Sequence, residues 1–133
     1  MQIYRYDSGV KTKIDNSSLN LDEISILLNT IIKNTNEFMR LYMDADRFKS
    51  LKNDESVIEI ILKEEISVLS NDLGELKFKK VLIPLTGDFV GDENSPYVTL
   101  FIGDEDYFPE PINNQNGYKD LIKLKAELEK SSQ

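Results

Sequence analysis

The chain has 133 residues, 40% of them hydrophobic, with 24 acids against 16 bases and a net charge of −8. That composition suits one globular domain with a single core. It holds neither cysteine nor histidine, which excludes disulfides, thiolate metal sites and imidazole acid–base chemistry.

The chain opens with Met1 to Asp7, which lacks a signal-peptide run, and no stretch approaches the ~20 apolar residues of a membrane span. A cytoplasmic protein is expected. Its acidity disfavours phosphate backbones and anionic lipid, so neither nucleic acid nor membrane is an expected partner. The richness in Ile, Asn and Lys points to an AT-rich bacterial source.

Ile3 to Asp7 alternates as a short strand, and Ser8-Gly9 turns. Residues 10–18 read as a polar connection or a weak second strand. Asn20 is placed to cap a helix, with Glu23 three residues on. Ile24, Leu27, Leu28, Ile31 and Ile32 form its apolar stripe, and Asn34-Thr35-Asn36 ends it near Lys33. Glu37 to Met43 fits either period; a strand is favoured, followed by a short helix from a cap at Asp44 to about Leu51.

Val57 to Leu69 is the longest strand pattern, with Ile58, Ile60, Leu62, Ile66 and Val68 on one face and Glu59 on the other. A turn over residues 70–75 leads into the partner strand Leu76 to Leu85. Pairing Val68 with Leu76 would set Glu64 opposite Lys80 as a partly buried ion pair. The favoured reading is instead a bulge near Lys79-Lys80, which moves Val81, Ile83 and Leu85 to the inner face. Tyr97 to Ile102 is apolar on both faces except at Thr99, the mark of a central strand. Residues 104–115, with Pro109 and Pro111, read as irregular. Tyr118, Leu121, Ile122, Leu124 and Leu128 give a last helix its core face, and Ser131 to Gln133 is expected to fray. The order predicts a single α+β domain over 1–133, its sheet mostly antiparallel with helices about 20–33 and 117–130 packed on one face.

Charge singles out one segment. Val81 to Tyr118 has no Lys or Arg but seven acids, leaving 17 acids against 16 bases elsewhere. Its acids fall in loops 86–96 and 103–111, roughly 20 Å apart across a six-residue strand. Turn 70–75 is expected beside loop 103–111. That pole would gather Asp72, Glu75, Asp104, Glu105, Asp106 and Glu110, with Tyr107 and Phe108 as aromatic anchors, into a docking surface for a basic protein. The plain alternative is a solvated loop that aids solubility.

The loop carboxylates, around Asp88, Asp92 and Glu93 or Asp104 to Asp106, also offer the oxygen ligands of a divalent cation, though no EF-hand spacing is present. A metal-dependent enzyme or sensor is therefore the alternative function. A third is an oligomerisation module that buries a Tyr4/Tyr6 edge between copies. No catalytic residue, cofactor site or metal-ligand set is assigned: Gly87 and Gly91 sit among acids that would repel a phosphate. In size, acidity and lack of catalytic residues the chain is similar in type to small bacterial immunity proteins, which bind and neutralise a toxin. The similarity implies a non-enzymatic, inhibitor-like protein and identifies no site.

Overall fold

A computed structural model describes residues 1–130; the expected fraying of 131–133 lies outside the described residues. Among the described residues the strands are β1 (Gln2–Asp7), β2 (Val10–Lys13), β3 (Glu37–Phe38), β4 (Ser56–Ser70), β5 (Gly74–Pro84), β6 (Val98–Gly103) and β7 (Ile112–Asn114). The helices are α1 (Leu21–Lys33), α2 (Ala45–Asp54) and α3 (Tyr118–Glu129). The strands form one open sheet in the order β2-β1-β4-β5-β6-β7-β3, with every pairing antiparallel. This is the α+β fold that the pattern of elements predicts.

The main core lies where α1 and α3 cover one face of the sheet. Ile24, Leu28 and Ile31 of α1 meet Ile3, Ile58, Ile60, Val81 and Ile83, while Leu121, Leu124 and Leu128 bring in α3. Burial of this apolar surface is the chief stabilising term. The Asn20 side chain accepts from the Glu23 N–H at 3.1 Å, as a cap should. Ile122 differs from expectation: it is 44% exposed, turned away from the α3 stripe.

The opposite face carries α2, packed over Val57, Leu82 and Phe101. The Asp44 side chain caps it as expected, but the helix runs on through Asn53 and Asp54. Its orphan end is satisfied by the β1–β2 turn, where Gly9 N–H donates to the Lys52 carbonyl and Ser8 N–H to that of Glu55. That turn puts Ser8 at φ 48° and Gly9 at φ 89°, the pair of left-handed conformations of a tight hairpin.

Only Glu37 and Phe38 of the expected 37–43 strand pair with a neighbour, β7. Beyond them the segment keeps just two ladder-like bonds, from Met39 N–H to Pro111 O and from Met43 N–H to Pro109 O. The two prolines can accept here but not donate, so a full ladder cannot form. Conversely, β7 emerges from a stretch read as irregular. Its Asn113 and Asn114 are buried and satisfied: Asn113 donates to Glu37 and accepts from Thr99, and Asn114 donates to the Ile31 carbonyl. β1 is flanked by β2 and β4, so Tyr4 and Tyr6 do not lie on a sheet edge.

The long hairpin is out of step midway, but the extra residues lie on β4 and not at the bulge expected near Lys79-Lys80. Val68 faces Leu76 and Ile66 faces Phe78, but Ile61 faces Lys80. Five steps along β4 match two along β5, so three extra residues sit on β4 between Ile61 and Ile66. Phe78, Val81 and Ile83 thereby all reach the main core, and Glu64 stays exposed with no link to Lys80.

Candidate functional site

The α2 face carries the polar chemistry of this molecule. Its base is aromatic. Phe48 of α2 meets Phe101 edge-on at 5.3 Å between ring centroids and lies tilted against Tyr107 at 5.3 Å, while Phe89 meets Phe101 edge-on at 5.2 Å. Such geometries match edge to face charge on the rings.

Set into this base is Glu59, only 5% exposed. Strand alternation puts it on the same face as Val57, and α2 then roofs it over. The Tyr107 hydroxyl donates to its Oε2 at 2.5 Å, Lys52 Nζ lies 3.3 Å from the same oxygen, and the Tyr6 hydroxyl donates to Oε1 at 3.4 Å. A buried carboxylate is tolerable only when matched this fully. The Lys52 ammonium also sits 4.8 Å above the Tyr6 ring. Burial, followed by the Glu59 charge and hydrogen bond, pushes the Tyr107 hydroxyl far above its ordinary value, so it stays protonated and donates to Glu59.

Beside this cluster runs the acidic loop after β6. Its shape is set by backbone contacts: Asp104 N–H donates to Asp106 O, Phe108 N–H to Ile102 O, and Lys80 Nζ to Glu105 O. Gly103 is needed for the tight return, because a methyl group there would sit 2.3 Å from Asp106 O. The carboxylates are therefore not used to fold the loop. Asp104, Glu105, Asp106 and Glu110 are exposed, and among the described residues none of them forms an ion pair. Phe108 stands beside them, 44% exposed.

Other residues of the expected pole lie elsewhere. Tyr107 is turned inward onto Glu59 and Phe48. Asp72 accepts from Asn36, and the turn that holds it rests on the end of α1, where Asn71 N–H donates to Lys33 O. Glu75 pairs with Lys77 and accepts from Ser67. Since Gly103 faces Lys80, Glu75 is five residues further along β5, or roughly 16 Å away. The structure thus brings together Asp104, Glu105, Asp106, Phe108 and Glu110, and separates Asp72 and Glu75 from them.

In loop 86–96, Asp92 spends its Oδ1 on the N–H groups of Asn94 and Ser95. No group of three or more acids placed to hold a metal ion occurs among the described residues. No helix among them is long and apolar enough to cross a membrane. Sequence reasoning missed Glu59, Lys52 and Phe48 as a unit. The available signal was a lone carboxylate between Ile58 and Ile60, but its burial depends on α2, which arrives from another part of the chain. No family model matches the chain, and neither a curated protein nor a solved structure matches it.

Proposed function

We propose that the chain is a non-enzymatic binding protein, of immunity or inhibitor type, that docks a basic protein through the loop from Asp104 to Glu110. One observation carries this reading: four exposed acids, none in an ion pair among the described residues, flank an exposed Phe108 on a loop held by backbone contacts and by Lys80. A preset loop lowers the ordering cost of binding. Clustered like charge raises the encounter rate with an opposite surface, and an aromatic ring supplies a central contact. A cytoplasmic setting, and a protein rather than nucleic acid or lipid as partner, belong to the same reading. The divalent-cation alternative finds no convergent ligand set among the described residues.

The test is capture from a lysate of the source organism on immobilised protein, with identification by mass spectrometry. Wild type is expected to retain a basic partner, with pI above about 9. The variant Asp104→Lys/Glu105→Lys/Asp106→Lys, with an unchanged melting temperature, is expected to lose it. Equal capture by the folded triple variant refutes the surface, and an acidic partner refutes the charge argument.

A further inference from the structure

Asn116 stands exposed in the turn that joins β7 to α3, and Gly117 follows it. No other asparagine in the chain precedes a glycine. The pairing has a chemical consequence. The side-chain carbonyl carbon of an asparagine, Cγ, can be attacked by the main-chain nitrogen of the next residue, closing a five-membered ring. A glycine puts no Cβ beside that nitrogen to hinder the approach.

The fold leaves both reacting groups loosely held. The Asn116 side chain forms no hydrogen bond among the described residues; its backbone N–H donates to Asn114 Oδ1 at 3.0 Å. The Gly117 N–H reaches the Asn114 carbonyl at 3.4 Å, beyond the usual limit of about 3.2 Å. No side chain caps α3 at this point. Gly117 is buried, so its proton is lost to solvent in brief openings of the turn. Other asparagines are restrained. The Asn34 side chain donates to the Thr30 carbonyl, that of Asn36 to Asp72 and that of Asn71 to Asn34. After Asn94, the Ser95 N–H is held by Asp92 Oδ1.

We infer that Asn116 is a site of spontaneous deamidation, a modification that consumes water and needs no enzyme. The Gly117 nitrogen, its proton taken by hydroxide, bonds to Asn116 Cγ. The Cγ–Nδ2 bond breaks, and ammonia leaves with a proton from water. The resulting succinimide takes up one water. Opening at Cγ gives aspartate; opening at the main-chain carbonyl gives isoaspartate, in which the backbone runs through Cγ. Nothing is oxidised or reduced. Either product adds a negative charge to the recess that Asn116 lines with Asp72 and Asp120. Isoaspartate also lengthens the main chain between α3 and Asn114, whose side chain anchors β7 to the Ile31 carbonyl of α1. The inference stands apart from the docking loop and shares no residue with it.

The test is ageing of the folded protein in mildly alkaline buffer, sampled by peptide mapping with mass spectrometry and by anion exchange. The mass gain of an amide-to-acid change is expected at Asn116 before any other asparagine, and faster as pH rises. A species with one more negative charge should grow in step with it. An isoaspartate methyltransferase should label the aged protein and not the fresh one. Asn116→Gln, a change at an exposed position that would have to close a six-membered ring, is expected to remove both the charged species and the label. The inference is overturned if another asparagine converts first. It is equally overturned if Asn116 stays intact in the folded protein over the time in which the same chain, unfolded in urea, converts fully, or if Asn116→Gln ages at the wild-type rate.

Discussion

Glu59 is the residue on which the α2 face turns. Alone, a carboxylate at that depth would be strongly unfavourable; with Tyr107, Lys52 and Tyr6 around it, the group becomes a fastener between β1, β4, α2 and the acidic loop. Removing one partner leaves the rest underbonded. Tyr107→Phe is expected to lower stability by roughly 1.5–3 kcal/mol, the range for hydrogen bonds to charged groups, as a reduced urea midpoint near neutral pH. The pH dependence has a definite sign. The Tyr107 hydroxyl is held above its ordinary value of 10.0, so the folded state keeps a proton that the unfolded chain gives up. Its contribution is complete below about pH 10 and is lost as pH rises further. The gap between wild type and Tyr107→Phe should therefore narrow in urea titrations above about pH 10. A gap that widens there would mean the tyrosine is not the buried donor.

At the scale of elements, two glycines separate steric need from backbone need. Gly74 has φ 81°, with open space where a side chain would go. Gly103 would place a methyl group 2.3 Å from Asp106 O and 2.6 Å from the Tyr107 Cα. Gly74→Ala is expected to cost about 1–2 kcal/mol from the left-handed backbone alone. Gly103→Ala must push the 104–107 loop off β6 and loosen Tyr107 from Glu59 as well. Overpacking costs about 1–3 kcal/mol and the lost hydrogen bond adds to it, so Gly103→Ala should have the lower urea midpoint of the two. The reverse order would show that the loop yields freely. The β4–β5 hairpin makes a related point: its three-residue mismatch is what lets Phe78 and Val81 face the same core.

Across the whole molecule, charge and shape are divided. Both faces of the sheet are covered, α1 and α3 on one side and α2 on the other, and the base-free segment supplies the loops at the ends of β6. With the acids concentrated there, capture of a basic partner should depend on ionic strength. Raising salt from about 50 mM to about 500 mM shortens the reach of exposed charges to a few ångströms and is expected to weaken capture at least about tenfold. A salt-insensitive complex would locate its energy in apolar contacts instead of this loop.

Features that depend on near neighbours were legible in the order of residues. Apolar spacing marked α1, β4, β5 and the buried β6, the Asn20 and Asp44 caps were readable, and the exposed acids from Asp104 to Asp106 followed from a loop without bases. Tertiary structure alone decided what depends on distant chain segments meeting. It turned Tyr107 inward, set Asp72 beside Asn36, and drew β7 out of a proline-rich stretch because β6 and β3 offered ladders on either side. It also made Glu59 a buried anchor, since whether a strand's second face is wet or dry is settled by the helix laid across it, and local periodicity carries no record of that helix.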